Sequence, residues 1–360
     1  MSKNNNSEPR EYFVNLSSGK LTGLRGVTDE NGKFKVLALD QSNSFKKFLR
    51  KLFEKTGRKA EPSYEDVRDA KLEITKELAG AGGASAVLLD VNYGVRQAIN
   101  AGVLPKGVGL IVRCEASRDP GVAGEYEPGW NVDKIKRMGG TAVKLLVYLD
   151  VEDQSSTNRQ VRFMEDVANA CLKNDILLMV EELSYPRPGE TKQDTSYKKR
   201  LPNNIFKATE ILNPFADILK LEFPGDIEND SAKQIKANLA QLDRIAQRPW
   251  VLLSAGVKFP LFEKQVALTM QAGASGTMAG RAIFQEYFDQ ATPAARKKFL
   301  QKEGVLRMKK LNKLVDQYAD SWQKRYDIAD KDMANAVNPN WYKEGEEAAV
   351  ATVGATTGEY

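Results

Sequence analysis

Two lysines lie inside largely apolar segments of this chain, where a charged side chain is unusual. Lys144 lies within residues 142–147, and Lys220 lies within residues 218–223. An ammonium group loses several kcal/mol of hydration on burial, so a buried lysine tends to release its proton and become a nucleophile. Two amines close together strengthen this tendency, which prepares one of them to form an imine with a carbonyl compound. The pattern therefore favours carbonyl chemistry through a lysine imine.

The sequence contains no histidine and only two cysteines, Cys114 and Cys171. The lack of histidine removes the most common general acid/base and the most common metal ligand. The cysteines are far apart and form no CxxC motif, so we expect reduced thiols rather than a disulfide or a zinc site. The sequence thus predicts neither a metal nor a separate cofactor, because the covalent imine takes that role.

Composition and charge restrict the classes of partner. The net charge is +5 and the basic residues are scattered, which suits a small anionic substrate and equally suits an ordinary solvated surface. Nucleic-acid binding would require a denser basic stripe with interleaved aromatic residues. No apolar segment approaches the ~20 residues that span a bilayer, and residues 1–10 lack the apolar core of a secretory signal. We expect a cytoplasmic protein without membrane contact, and the sequence leaves open whether it forms a homo-oligomer.

Short apolar runs alternate with amphipathic, helix-like stretches along most of the chain. This alternation predicts a parallel sheet covered by helices, and eight units over this length favour a single (β/α)8 barrel at residues 34–327. An N-terminal extension with a helical segment (residues 1–33) precedes the barrel, and C-terminal helices end in a poorly ordered or partner-dependent tail (residues 328–360). The predicted strands are residues 34–39, 86–89, 108–112, 141–147, 176–180, 216–221, 250–253 and 276–278.

The barrel explains how distant residues can meet. Catalytic groups in this fold project from the C-terminal ends of the strands, and alternate strand positions face the interior. Lys144 on the fourth strand and Lys220 on the sixth can therefore approach each other across the end of the fifth strand. That strand ends in Glu181, which we expect to exchange protons with the amines. The alternative is that the lysines point outward and extend to solvent between the helices.

Other strand ends carry residues suited to binding a substrate. Asp40 and Asp90 follow the first and second strands, where a carboxylate serves either as a substrate ligand or as a helix N-cap. The last two strands run into glycine turns, and Arg281 follows the second of these. Backbone N–H groups and an arginine at this place are typical of a phosphate site. The phosphate-site candidates are Ser254, Gly256, Gly280 and Arg281.

Taken in order, these segments resemble the class I tagatose-1,6-bisphosphate aldolases, a family of Schiff-base aldolases that has sulfofructose-phosphate aldolases among its relatives. The resemblance covers about residues 12–325. It is specific as a set, because the motifs fall in order at the expected strand ends, whereas no single motif is specific. The matching segments are residues 37–41, 88–90, 93–94, 142–144, 180–181, 219–222, 253–257 and 280–282.

The resemblance implies roles for individual residues. Lys220 corresponds to the Schiff-base lysine, Lys144 to the neighbouring lysine that tunes it, and Glu181 to the acid/base. The family usually has an arginine directly after its Asp-Gln pair, where this chain has Ser42. If that arginine holds the distal anionic group of the substrate, either the far end of the substrate differs here or Arg113 or Arg118 replaces the arginine. The implied substrate or phosphate positions are Asp40, Gln41, Ser254, Gly256, Gly280 and Arg281.

The implied activity is metal-independent cleavage of a ketose phosphate such as tagatose or fructose 1,6-bisphosphate. The products would be dihydroxyacetone phosphate and an aldehyde. One alternative is an aldolase of the same kind that acts on sulfofructose phosphate or another sugar phosphate. A second alternative, of a different class, is an aldolase-like regulator that binds sugar phosphates with little turnover. A third is a lyase or decarboxylase of the phosphate-binding barrels, which would form no covalent adduct. The sequence does not select the substrate or the configuration at its C4 atom.

Overall fold

A computed structural model describes residues 16–326, so the predicted tail at 328–360 lies outside the described residues. Within residues 16–326, eight parallel strands pair in chain order and close into a barrel, which confirms the predicted fold. The strands are β1 (Phe34–Leu39), β2 (Ala86–Asp90), β3 (Gly109–Arg113), β4 (Ala142–Tyr148), β5 (Leu177–Leu183), β6 (Ile218–Leu221), β7 (Trp250–Leu253) and β8 (Gly276–Ala279).

Helices cover the outside of the barrel. Their buried faces consist of apolar residues at helical spacing, and several begin at side-chain caps, such as the capping box of Ser63 and Asp66. The helices are α1 (Ser18–Val27), α2 (Asn43–Lys55), α3 (Tyr64–Leu78), α4 (Val95–Asn100), α5 (Val132–Arg137), α6 (Gln154–Lys173), α7 (Thr195–Leu212), α8 (Ala232–Ile245), α9 (Phe259–Gln271), α10 (Arg281–Phe284), α11 (Pro293–Phe299), α12 (Val305–Tyr318) and α13 (Trp322–Arg325). None of the helices between residues 16 and 326 has the length and apolar character needed to cross a membrane.

The interior of the barrel changes from apolar to charged along the strands. Near the N-terminal ends, the inward positions pack together with Leu24 and Val27 of α1 and with Trp322, and this cluster closes that end. Two residues further along β4, β5 and β6, the same inward face carries charged side chains. The apolar layer consists of Val36, Ala38, Leu88, Ile111, Ala142, Met179, Ile218, Val251 and Met278. The charged positions therefore rest on a packed apolar floor.

Two local expectations differ from the structure. Strand β5 continues to Leu183, so Glu181 lies within the strand instead of at its end, and it pairs in register with Lys220. The Pro-, Lys- and Arg-rich composition of residues 185–204 predicts a long connection after the fifth strand, but α7 already begins at Thr195 and contains Pro202 in its interior. The apolar residues of α7 bury a continuous face against the barrel, and this burial outweighs the helix-breaking tendency of proline.

The barrel closes between β8 and β1 at a glycine, and this contact gives a first prediction. Gly276 has φ +153°, and a Cβ atom there would lie 2.0 Å from the carbonyl oxygen of Phe34. Gly276→Ala should therefore push the two strands apart and reduce the free energy of unfolding by about 4 kcal/mol or more. Chemical denaturation measures this change.

The matched control is Gly57→Ala, which also places alanine at positive φ (+75°) but has no atom within 4 Å of the added Cβ. It should lower the free energy of unfolding by only about 1–2 kcal/mol, which is the usual cost of an L-residue in the left-handed region. Equal losses for the two variants would show that the close approach of β1 and β8 does not limit stability.

Candidate active site

The charged inward positions surround a cavity of about 370 Å³ at the C-terminal end of the barrel. Its walls come from the ends of β1 and β3, from β4 to β6, from the start of α10 and from the segment between β3 and α5. The predicted site residues that line it are Asp40, Gln41, Lys144, Glu181, Lys220 and Arg281. Both lysines thus face the interior, so neither takes the outward orientation that the sequence left open.

Lys144 is the centre of a carboxylate cluster. Its Nζ atom lies 3.0 Å from Asp40, 2.9 Å from Glu115 and 2.8 Å from Glu181. Burial alone would lower the pKa of Lys144, but the charges of these three carboxylates outweigh it and hold the pKa well above its usual value. The expectation that both buried amines would tend to lose their protons is therefore wrong for Lys144, which is a fixed cation.

Glu181 connects the two lysines. Its Oε2 atom lies 2.8 Å from Lys144 Nζ and 2.8 Å from Lys220 Nζ. Burial raises the pKa of Glu181, but the two neighbouring ammonium groups outweigh it and lower the pKa below the usual value. The pKa of Asp40 is lowered in the same way, against burial, by Lys144, Lys220 and Arg113. Both carboxylates are therefore ionised, and Glu181 is within hydrogen-bond distance of the Lys220 amine.

Glu115 is a cavity residue that the sequence analysis missed. Its Oε1 atom accepts a hydrogen bond from Lys144, and its Oε2 atom has no hydrogen-bond partner within residues 16–326. Burial raises the pKa of Glu115, against the charges of Lys144 and Arg113. The sequence does carry a signal for Glu115. Alternate residues of β3 face inward, and Arg113 and Glu115 continue this inward face beyond the apolar residues of the strand. Glu115 thus offers the cavity a free acceptor, or a donor when it is protonated.

Asp90 is not brought to the cavity. One of its carboxylate oxygens pairs with the buried Lys71 of α3, and the other accepts the backbone N–H of Tyr93 at 2.9 Å. Both oxygens are occupied by the protein, and the residue has no exposed surface. The placement of Asp90 among the substrate ligands is therefore corrected, and the carboxylate instead holds the turn before α4.

Two more carboxylates near the catalytic strands also lie outside the cavity. Glu182 faces away from Glu181 and accepts a hydrogen bond from Ser184 Oγ at 2.7 Å, and Glu222 accepts the Ser184 N–H at 2.8 Å. Burial raises the pKa of both groups, the charges of Glu222 and Glu181 raise that of Glu182 further, and the charge of Glu181 also raises that of Glu222. They therefore support the loop after β5, and Glu181 is the carboxylate of this region that reaches the cavity.

Arg281 forms the end of the cavity next to β7 and β8. It has no hydrogen bond or ion pair to any residue of the part of the chain that the structure describes, and burial lowers its pKa. A Cβ atom on Gly256 would lie 2.8 Å from the Arg281 Cζ atom, so glycine provides the space for the guanidinium. The other three phosphate-site candidates, Ser254, Gly256 and Gly280, lie in the same two turns without lining the cavity. A half-buried guanidinium with free donors is suited to bind an anion such as phosphate.

The cavity is also lined by Ser42, which stands where the aldolases that the sequence resembles have an arginine, and by the two arginines that could replace it, Arg113 and Arg118. The Arg113 guanidinium donates to the backbone oxygen of Asp40 at 2.8 Å, and its Nε atom has no partner among residues 16–326. Arg118 pairs with Glu125 at the outer part of the wall. Positive charge is therefore available on the β3 side as well as at Arg281.

The cluster around Lys144 generates a second prediction. Lys144→Met leaves three buried carboxylates near a single lysine, so we expect the free energy of unfolding at pH 7 to fall by about 3–5 kcal/mol. The pKa values of Asp40, Glu115 and Glu181 would then lie above those of the unfolded chain. Such groups stabilise the folded state at low pH and lose that effect as the pH rises, so the loss should shrink between pH 7 and pH 5.

Chemical denaturation of both proteins at the two pH values measures this difference. Lys233→Met, at an exposed position of α8, is the control and should change stability by less than about 0.5 kcal/mol at either pH. A loss that grows on acidification would contradict the description of Lys144 as the charge that compensates the cluster.

Comparison with known proteins identifies the family of this chain. A family model described as "DeoC/LacD family aldolase" matches residues 36–286. The chain is 30% identical to tagatose 1,6-diphosphate aldolase 2 of Streptococcus agalactiae serotype III (strain NEM316), over 86% of this chain and 99% of that one.

Solved structures show the same fold at low sequence identity. Fructose-bisphosphate aldolase from Plasmodium falciparum, in a complex with TRAP and an inhibitor, has a TM-score of 0.63 at 12% identity and covers 85% of this chain and 97% of that chain. An archaeal fructose-1,6-bisphosphate aldolase, with its catalytic Lys covalently bound to a carbinolamine intermediate, has a TM-score of 0.52 at 18% identity, covering 81% and 98%. Because the family model matches well over half of the sequence, the chain belongs to the DeoC/LacD family of aldolases and is a lyase.

Proposed function

We propose that this enzyme is a class I aldolase that cleaves a ketose 1,6-bisphosphate, such as tagatose or fructose 1,6-bisphosphate, through an imine on Lys220 and without a metal ion. The observation that carries the proposal is the position of Glu181, one of whose oxygens lies 2.8 Å from both Lys220 and Lys144. A nucleophilic amine, a carboxylate that can move its protons and a fixed cation are thus combined in a cavity of suitable size for a sugar phosphate.

The first half of the reaction forms the imine. Glu181 accepts a proton from the Lys220 ammonium group, and the free amine adds to the C2 carbonyl of the ketose to give a carbinolamine. Glu181 returns the proton to the carbinolamine hydroxyl, which leaves as water, so that a protonated imine remains. Lys144 stabilises the Glu181 carboxylate at the start and the end of this exchange.

The second half breaks the carbon–carbon bond. The Glu181 carboxylate removes the proton of the C4 hydroxyl, and the electrons of the C3–C4 bond move into the imine to give an enamine. The aldehyde fragment leaves. Protonation of the enamine at C3 and hydrolysis of the imine then release dihydroxyacetone phosphate and restore Lys220.

The cationic groups of the cavity account for the choice of a phosphorylated substrate. Arg281 has unused donors beside the glycine turns that follow β7 and β8. Arg113 has one unused donor at the end of β3. Asp40 and Gln41 lie on the wall where they can bind substrate hydroxyls. Ser42 stands in place of the family's usual arginine. If the substrate is sulfofructose phosphate or another sugar phosphate instead of a ketose bisphosphate, we expect the difference at the end of the substrate that this arginine would bind.

A third prediction tests the nucleophile. Borohydride reduction in the presence of dihydroxyacetone phosphate should attach one reduced adduct to Lys220, as located by peptide mass spectrometry. Lys220→Ala should abolish turnover and the adduct, because no other amine replaces the nucleophile, while thermal unfolding shows a folded protein. Lys233→Ala should keep both turnover and adduct.

The same assay separates the alternatives. Turnover that EDTA abolishes, or that persists without any adduct, would exclude the imine mechanism and favour another phosphate-binding barrel lyase. Adduct formation with very slow cleavage of tagatose, fructose and sulfofructose phosphates would favour the regulator. Comparing the three substrates side by side identifies the preferred one. A cytoplasmic location and assembly into a homo-oligomer stay predictions.

A fourth prediction concerns Glu181. Glu181→Gln keeps the size of the side chain but cannot accept a proton, so kcat for cleavage should fall by about 10²–10⁴-fold. In this variant the charge on Lys144 is still compensated by Asp40 and Glu115, so the variant should fold. Steady-state cleavage kinetics, with circular dichroism as a check on folding, measure the effect. A fall of less than tenfold would assign the proton transfers to another group.

A further inference from the structure

The backbone at the end of β1 is held by two buried basic side chains. The carbonyl oxygen of Leu39 accepts a hydrogen bond from Lys71 Nζ at 2.7 Å, and that of Asp40 accepts one from Arg113 at 2.8 Å. The register of β1 with β8 ends at Leu37 and that with β2 ends at Leu39, so Asp40 lies beyond both ladders. The position of Asp40 therefore depends on side chains that reach it from α3 and from β3.

Lys71 is an unusual residue to find at this place. It lies on the buried face of α3 and has no exposed surface, it pairs with Asp90, and its Nζ atom lies 5.3 Å from the centre of the Phe45 ring. It does not line the cavity, so it does not touch a substrate bound there. Its ammonium group instead joins the ends of β1 and β2 to a helix.

Stability alone does not explain this ion pair. Replacing a buried ion pair by uncharged residues of similar volume is often neutral or stabilises a protein by about 1–4 kcal/mol, because desolvation offsets the attraction. A displacement of about 1 Å in a catalytic group, in contrast, can reduce a rate about 100-fold. The pair is thus better explained by the position that it gives to neighbouring atoms.

We propose that Lys71, held in place by Asp90, is a positioning residue of the active site: by binding the Leu39 carbonyl it fixes the Asp40 carboxylate 3.0 Å from Lys144 Nζ. The inference rests on the proposed imine mechanism and adds to it. Lys71 acts on Asp40, Asp40 on Lys144, and Lys144 on the Glu181 carboxylate that exchanges protons with Lys220. The role requires no contact between Lys71 and the substrate.

The test is a double-mutant cycle on kcat for ketose bisphosphate cleavage. The first change is the pair Lys71→Met with Asp90→Asn, which removes both charges and keeps an oxygen for the Tyr93 N–H. The second change is Asp40→Asn. We expect the pair to lower kcat about 10–100-fold in the wild-type background and less than twofold in the Asp40→Asn background. The pair should change the free energy of unfolding by about the same amount in both backgrounds, because Lys71 and Asp90 make no hydrogen bond or ion pair with the Asp40 side chain.

The matched control is a second buried lysine–aspartate pair at the opposite end of the barrel. Lys20 Nζ lies 2.7 Å from Asp217, and both residues are buried. Lys20→Met with Asp217→Asn should leave kcat within twofold of wild type, whatever its effect on stability. This control separates the loss of a buried ion pair in general from its loss beside Asp40.

The outcomes distinguish the two proposals. If the pair lowers kcat by the same factor in both backgrounds, or not at all, the positioning role is wrong while the imine mechanism stands. If the wild-type enzyme forms no adduct on Lys220, both proposals are overturned. If the paired variant does not fold, Lys71→Arg replaces it, because arginine keeps the charge next to Asp90 but changes the reach to Leu39. Lys71→Arg must then lower kcat in the wild-type background and leave it unchanged in the Asp40→Asn background. A fall in kcat that persists with Asp40→Asn overturns the positioning role of Lys71.

Discussion

The site depends on the compensation of one buried positive charge by protein groups instead of water. An ammonium group without partners in the barrel interior would cost several kcal/mol, yet Lys144 is held by carboxylates at 2.8–3.0 Å. These carboxylates come from β5 and from the residues that follow β1 and β3, so the charge of Lys144 links β5 to the ends of β1 and β3. Glu181 is one of them, and its second contact is Lys220. The geometry of the proposed nucleophile is thus set by electrostatics that extends over several strands.

The barrel and its central residues could be predicted because both follow from local patterns. Lysines between apolar residues on β4 and β6 mark inward positions, and a parallel barrel places alternate strands in the same layer. Glu115 escaped the same logic because its predicted strand ended at the last apolar residue. The backbone beyond that residue is held by an isolated antiparallel bridge from Glu115 to Tyr126, which is a non-local contact that periodicity does not reveal.

The placement of Asp90 failed for a different physical reason. A carboxylate at a strand end looks the same in sequence whether it faces the substrate or a protein cation. The deciding partner, Lys71, does carry a signal, because it lies on the same helical face as Val67, Ile74 and Leu78. A lysine on an apolar face predicts a buried ion pair, but only the packing of α3 against β1 and β2 identifies its partner.

The apolar cluster of α1 and Trp322 bears on the route and the order in which the reaction products leave. It closes the N-terminal end of the barrel, so in the proposed mechanism the ketose enters, and its two fragments leave, at the C-terminal end. In the proposed mechanism one fragment stays covalently attached to Lys220 after the bond breaks. The unattached aldehyde must therefore diffuse out first, and the closed base of the barrel thereby imposes a sequential release of products.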